Sequence, residues 1–347
     1  MSAWRKGDLL LLDNVLVAHG REPFSGPRRI LGAMAELYTH PGFRAHSGGQ
    51  RAPVLAPALR VDSAAVSACC MGVLMQAREQ KAADFRALHE REGAFIIPNP
   101  WDVGTARLLA HLGFEALATT SAGHAFSTGR QDSSIGRDET MEHVRAIVSA
   151  TDLPVSADLE NGFGDDPETV AETLRIAAAT GLVGGSIEDA TGRPDDPIYG
   201  HELAVERIRA AAEVARSLPF PFMLTARAEN YLVGRRDLQD TIKRLQAYQE
   251  AGADVLYAPG LASRDDIAAV VSSVDRPVNV VMGLQGAQLS LGELSAIGVK
   301  RVSVGSALSR AALGAFLRAA REMRESGTFT FSAEAVSYRD ISAMFES

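Results

Sequence analysis

From residue 76 onward, short runs of apolar residues alternate with longer stretches whose apolar positions recur at helical spacing. Residues 78–92 predict a helix, with Ala82, Phe85 and Leu88 on one face. Residues 94–99 follow as a buried strand, and a second helix is predicted at 102–112. The cycle then repeats. Strands are predicted at 116–121, 155–160, 184–189, 222–228, 255–259, 278–282 and 301–305, making eight with the first. Helices are predicted at 138–150, 167–180, 201–217, 237–251, 263–273, 290–297 and 306–326. Gly113, Gly181, Gly252 and Gly298 stand where helices should stop. Eight such units over about 250 residues predict an α/β fold, a (β/α)8 TIM barrel. No Gly-x-Gly-x-x-Gly follows the first strand, which disfavours an open dinucleotide-binding sheet. A last helix at 332–345, with Val336, Ile341 and Met344 apolar, lies beyond the barrel's own helices and is expected to pack on a neighbouring subunit.

The first 75 residues break this pattern. Residues 1–35 read as two strands joined by a loop containing Pro and Gly. Residues 36–75 carry linker punctuation and then an apolar run without a clear period, an irregular extension in which Met71 and Met75 are alternative starts. The domain reading is therefore 1–35, 36–75 as linker, and 76–347 as the barrel.

Composition narrows the function classes. The 347 residues are 46% hydrophobic and 22% charged, ordinary for a globular protein with a sizeable core. A formal net charge of -8 argues against a general nucleic-acid or anionic-membrane binder. No run reaches the roughly 18 apolar residues of a membrane helix, and the N-terminus lacks the order of a signal peptide. Cys69 and Cys70 are the 2 cysteines, adjacent, with neither a metal-ligand spacing nor a disulfide framework, so a reducing cytoplasm is expected.

In such a barrel chemistry gathers at the C-terminal ends of the strands, and the polar residues here fall there. The first strand ends in Asn99-Pro100-Trp101-Asp102, and the second in Thr119-Thr120-Ser121-Ala122-Gly123-His124. Asp158 and Glu160 end the third, where strand alternation would point both to one face. Glu188-Asp189 end the fourth, Arg227-Ala228-Glu229-Asn230 the fifth, and Asn279 lies on the seventh. Buried charges are paired or metal-bound. The convergence predicts a divalent-cation site, Mg²⁺ with Mn²⁺ as the alternative, held by Asp158, Glu160 and Glu188 directly or through water. Arg227 suits a substrate carboxylate or phosphonate, or else serves as a structural partner for Glu188 or Glu229. The small residues Ser121, Ala122 and Gly123 can bring backbone N–H groups to an oxyanion, Asp132 sits in a loop long enough to reach the mouth, and His124 reads as a proton donor or a structural histidine.

These residues carry a resemblance to the isocitrate lyase/phosphoenolpyruvate mutase superfamily over about residues 83–320. They are Pro98-Asn99-x-Trp101-Asp102, Thr120-Ser121-Ala122-Gly123, Asp132, Asp158-x-Glu160-x-Gly162-Phe163-Gly164, Ile187-Glu188-Asp189 and Ala226-Arg227-x-Glu229. The resemblance implies a Mg²⁺-dependent homodimer or homotetramer that acts on small 2-oxo or 2-hydroxy acids. It implies a pyruvate-enolate-like intermediate next to which a C–C or P–C bond is made or broken. It also implies catalytic roles for Asp132, Arg227 and Glu188 and substrate contacts from Trp101, Ser121, Ala122, Gly123, Arg227 and Asn279. Two departures matter. The family's Asp-x-Asp-x-Gly is here Asp158-x-Glu160-x-Gly162. The Lys-x-Cys-Gly-His loop of the lyase branch is replaced by residues 190–200, without cysteine, which argues against a standard isocitrate lyase. Ala226-Arg227-Ala228-Glu229 is closer to the mutase and phosphonopyruvate hydrolase branch. A phosphoenolpyruvate phosphonomutase or oxaloacetate decarboxylase proper, and a catalytically inactive 2-oxo-acid-binding barrel, are the alternatives. Residues 191–199 are a candidate lid.

Residues 1–35 separately resemble the C-terminal end of taurine-dioxygenase-like iron/2-oxoglutarate oxygenases. That resemblance implies His19 as an iron ligand and Arg28 or Arg29 as the 2-oxoglutarate anchor. Such a site needs a second histidine and a carboxylate, and two strands bury no core, so the stretch is expected to be a non-functional remnant.

Overall fold

The computed structural model describes residues 10–12, 15–17, 63–283 and 288–346. The chain divides into two compact units, residues 1–77 and 78–347. In the first, β1 (Leu10–Leu12) and β2 (Val15–Val17) pair antiparallel, with Leu10 opposite Val17. Both strands precede the Pro/Gly segment that was expected to join them. His19, Arg28 and Arg29 lie outside the described residues.

Helix α1 (Ser63–Glu90) is longer than the sequence pattern indicates and begins inside the expected linker. The run from Ser63 to Ala77 is rich in alanine, the strongest helix former, and needs no apolar period to stay helical.

The second unit contains eight parallel strands: β3 (Phe95–Ile97), β4 (Leu117–Ala118), β5 (Val155–Asp158), β6 (Gly184–Glu188), β7 (Met223–Arg227), β8 (Val255–Tyr257), β9 (Val278–Val281) and β10 (Arg301–Ser303). The ladders run from β4 through β5, β6, β7, β8 and β9 to β10 and then β3. The seam between β3 and β4 is closed without a ladder. Ala118 N–H donates to Pro98 O at 3.1 Å, and Asn99 Nδ2 donates to Thr119 O at 3.0 Å. Asn99 Oδ1 also accepts from the N–H groups of Val304 and Gly305, so one buried amide ties the first, second and last strands of the barrel. The result is a nearly closed (β/α)8 barrel.

Helices α2 (Val103–His111), α3 (Ser121–Ser127), α4 (Arg137–Ser149), α5 (Pro167–Ala179), α6 (His201–Ser217), α7 (Leu238–Ala251), α8 (Arg264–Ser272), α9 (Leu291–Ala296) and α10 (Ala307–Ser326) accompany the strands. Residues 116–121 do not form one long strand. β4 stops at Ala118, and Thr120 caps α3, its Oγ1 accepting from Gly123 N–H at 3.3 Å. The expected helix at 332–345 is instead a 3-10 turn (Thr330–Glu334) and a short α11 (Tyr338–Ala343), because Ser337 caps a new helix start. No described helix is long and apolar enough to cross a membrane.

The α1 face built by Ala82, Phe85 and Leu88 is buried as its spacing indicates. A Cβ added at Gly184, the first residue of β6, would lie 2.9 Å from the Phe85 ring, so that glycine makes room for the aromatic. Replacing Phe85 with Ala should cost about 3–5 kcal/mol of stability. Urea unfolding checks this; an unchanged midpoint would remove α1 from the core.

Candidate active site

Asp158, Glu188 and Arg227 are the last residues of three consecutive strands, β5, β6 and β7. Glu188 is in register with Arg227, so their side chains emerge side by side. The guanidinium occupies the centre of an acidic ring. Nη1 lies 3.0 Å from Asp158 Oδ1, Nη2 3.1 Å from Glu188 Oε2, and Nε 2.8 Å from Glu229 Oε1. One N–H on each terminal nitrogen is left over. Arg227 thus has the structural partners that one sequence reading gave it and still faces the mouth. Burial works against its charge, but Glu229, Glu188 and Asp158 more than reverse this and raise its pKa. Burial raises the pKa of Glu188 well above the carboxylate range, against the pull of Arg227.

Glu160 reaches the cluster differently from the strand alternation expected. β5 ends at Asp158, and Glu160 lies in the following turn with φ 48°, a left-handed conformation unusual for a side chain of this size. Its N–H donates to Asp158 Oδ1 at 3.3 Å. Burial, then Asp158 and Asp132, push its carboxyl up to about 8. Phe163, with φ 61°, continues the strained turn, and Gly162 has φ 78° with Val170 packed where a Cβ would stand. Buried Arg207 of α6 holds this turn by donating to the carbonyls of Asn161, Gly164 and Asp165.

Asp132 lines the same cavity, and burial, then Asp158, raise its pKa. Ser121 and Ala122 also line it. Ser121 N–H donates to Asp158 Oδ2 at 3.3 Å, whereas Gly123 N–H serves the α3 cap. Among the three small residues, the first two face the cavity. Trp101 stands behind that turn, its Cβ 3.0 Å from where a Gly123 Cβ would be. Asn279 is buried on the cavity wall, donating to Ser303 Oγ at 3.0 Å. His124 turns away and stacks on His143 of α4, with ring centroids 3.6 Å apart.

Two spaces meet at the carboxylates. An inner cavity of about 170 Å³ is bounded by Asp158 and Arg227, and an outer cleft of about 960 Å³ by Glu160, Glu188 and Thr191. The expected lid, residues 191–199, is fastened down. Thr191 N–H donates to Pro197 O at 3.0 Å, and Tyr199 Oη donates to Asp165 Oδ1 at 2.6 Å, beside the Arg193–Asp165 ion pair.

The site suits a hard divalent cation. Arg227 is one positive charge among Asp158, Glu188 and Glu229, and Asp132 and Glu160 add carboxylates that it does not pair. The donor set is all oxygen, which is what Mg²⁺ takes. Among the described residues, no three such side chains converge closely enough to ligate an ion directly. A cation that keeps several waters and touches few carboxylates matches that spacing.

Residues that the strand-end reading passed over complete the surroundings. Buried Asp189 accepts from Glu229 N–H, Arg244 and Tyr248 and so fixes the strand end that carries Glu229. Tyr257, Arg301 and Ser303 line the inner cavity. Their signal was present in sequence as polar residues at alternate positions of predicted buried strands.

The sequence model of the phosphoenolpyruvate phosphomutase family matches residues 85–324. That of the taurine catabolism dioxygenase TauD, TfdA family matches residues 2–34. A crystal structure from Burkholderia cenocepacia J2315, provisionally named a lyase/mutase, is 68% identical, covers 78% of this chain and 98% of its own, and superposes with a TM-score of 0.77. The 2-methylisocitrate lyase of Escherichia coli K12 is 33% identical over 181 residues, 50% of this chain and 60% of the enzyme. A phosphonopyruvate hydrolase solved with oxalate and Mg²⁺ is 25% identical, with 76% and 94% coverage and a TM-score of 0.68.

The raised Glu160 pKa gives a pH prediction. A carboxyl that titrates at about 8 folded and at the ordinary 4.5 unfolded favours the fold below the lower value. That contribution is lost as pH rises through about 8. Metal-free protein should lose thermal stability over that window, and Mg²⁺ should raise Tm more at pH 9 than at pH 6. Glu160→Gln should flatten both trends in a thermal-shift series; an equally steep wild-type and variant response would reject the assignment.

Proposed function

Because the chain belongs to the phosphoenolpyruvate phosphomutase family, we propose that it makes or breaks a C–C or P–C bond of a small 2-oxo or 2-hydroxy acid through a pyruvate-enolate-like intermediate. The observation that carries this reading is the Arg227 guanidinium set among Asp158, Glu188 and Glu229 at the barrel mouth, with unpaired Glu160 and Asp132 beside it. The barrel, residues 76–347, is the active part, and residues 1–35 contribute no chemistry. Asp158, Glu160 and Glu188 would hold Mg²⁺, or Mn²⁺, through its waters. When bound, the ion supplies Lewis-acid polarisation of a substrate oxygen.

The chain's own groups do the remaining work. The outward N–H groups of Arg227 take the substrate carboxylate in a forked contact. The Ser121–Ala122 backbone at the start of α3 faces the oxygen on which charge develops. Asp132 positions the departing or attacking group from the loop between α3 and α4. The segment 190–200 offers no thiol, which separates this site from a cysteine-dependent isocitrate lyase. The Tyr199–Asp165 contact ties the segment to the turn that follows β5, beside the outer cleft.

Supporting a homo-oligomer, α10 buries only Ser309 and leaves Leu313, Phe316 and Leu317 exposed, with Phe316 at 66%. A second copy that covers this apolar face would remove it from water. The absence of a disulfide framework is consistent with a cytoplasmic protein.

Oxaloacetate, substituted malates and phosphonopyruvate, assayed for pyruvate by proton and phosphorus NMR, test the activity. Turnover of at least one should require Mg²⁺ and stop with EDTA. Arg227→Lys, which loses the fork, should lower kcat/KM by roughly 100-fold. Failure of every substrate together with failure of oxalate to bind would refute the reading; oxalate binding without turnover would favour an inactive binding barrel. Sedimentation should give a dimer or tetramer, and Phe316→Asp should shift it toward monomer. A monomeric wild type would refute the oligomer.

A further inference from the structure

Part of this barrel's interior is an open, largely polar cavity, although Ile97 and Val281 also line it. TIM-barrel interiors are packed by bulky branched side chains. Here Ser156, Ser186, Asn279 and Ser303 line the inner cavity. These small polar groups leave space and supply donors and acceptors. At the inner end lies Arg301, the first residue of β10, whereas Asp158 and Arg227 at the mouth are the last residues of their strands.

Arg301 is buried, and no ion pair with it is found among the described residues. Nε donates to Asn279 Oδ1 at 2.8 Å, and Nη2 donates to Thr225 Oγ1 at 3.0 Å. Nη1 lies 3.5 Å from His89 Nε2. His89 Nδ1 is 2.8 Å from Phe85 O, so its N–H is spent there and Nε2 is left as an acceptor. Burial and then Arg301 push His89 down to about 3, so it is a neutral partner. Burial drives the Arg301 pKa down to about 10, against an opposing pull from Tyr257. An unpaired buried charge is costly unless something else compensates it.

Register links this cation to the reaction centre. Arg227 pairs with Tyr257, Tyr257 with Asn279, and Asn279 with Arg301, so the four form one row across β7, β8, β9 and β10. All four line the inner cavity. Resting on the function proposed above, we infer that Arg301 is a second anion receptor at the inner end of the cavity. It recognises the distal acidic group, carboxylate or phosphonate, of a substrate whose first carboxylate is held at Arg227. Thr225 and Asn279 fix the guanidinium, and each terminal nitrogen keeps an N–H for the ligand. Arg301 therefore selects the substrate by its distal acid, while Arg227 holds the carboxylate beside the enolate.

Inert ligands of matched length test this by calorimetry with the Mg²⁺-loaded full chain. Succinate and 3-phosphonopropionate each carry a second acidic group that butyrate lacks, and whichever binds more tightly names that group. Wild type should prefer the better diacid over butyrate by about tenfold or more, and Arg301→Gln should reduce this preference to about threefold or less. Arg301→Lys should retain part of it, and oxalate, held at the mouth, should bind all three proteins alike. Undiminished preference in a folded Arg301→Gln protein would overturn the inference. Should that variant not fold, wild-type crystals soaked in sodium bromide decide. An anomalous peak against Arg301 supports the receptor, and its absence overturns it. Loss of wild-type oxalate binding would strike at the mouth site and the proposed function, leaving the bromide result to judge Arg301 separately.

Discussion

One guanidinium among three carboxylates fixes the geometry of this barrel mouth. Arg227 reaches Asp158, Glu188 and Glu229, on three chain segments, with three different nitrogens. Removing the arginine would leave buried carboxylates without a counter-charge, and such losses cost several kcal/mol. The same cluster stays short of positive charge, since Glu160 and Asp132 have no cationic partner in it. Stability and cation affinity therefore compete at one place, and the excess negative charge that weakens the free fold is what a bound ion would relieve.

Much of the surrounding architecture holds that frustrated centre in place. Arg207 gathers three carbonyls of the turn that carries Glu160, where Glu160, Gly162 and Phe163 adopt left-handed backbone angles. Arg244, Tyr248 and Asp189 anchor the backbone N–H of Glu229 from the opposite side. Arg207, Asp189, Arg244 and Tyr248 line neither the inner cavity nor the outer cleft. They hold the acids at a fixed spacing, which electrostatic preorganisation requires.

The strands were legible in sequence because each is a short apolar run closed by polar residues, and those polar ends are where Asp158, Glu188 and Arg227 stand. Helix α3 was not legible. Ser121-Ala122-Gly123 reads as a turn, and only the Thr120 hydroxyl, accepting from Gly123 N–H, turns it into a helix start. Glu160 was placed near Asp158 for an incomplete reason, since a left-handed turn rather than strand alternation brings it there. The contact that holds the candidate lid segment, Tyr199 with Asp165 across 34 residues of sequence, left no signal in the chain. Pairings of that kind depend on tertiary contacts and leave no local pattern. Arg301 is legible as a charge at an inward position of a buried strand, but it stands at the start of β10, away from the polar strand ends.

The carboxylate cluster is also a partition. Asp158 and Arg227 bound the inner cavity, and Glu160 and Glu188 bound the outer cleft. Glu188 and Arg227 are register partners and an ion pair, and they stand where the two spaces meet. A substrate held by that pair has one end in a small polar chamber and the other in an open cleft. The inner chamber, at about 170 Å³, excludes bulky groups, whereas the cleft, at about 960 Å³, tolerates them. Discrimination must then act mainly on the inward end, where Arg301 waits, and variation on the outward end is tolerated.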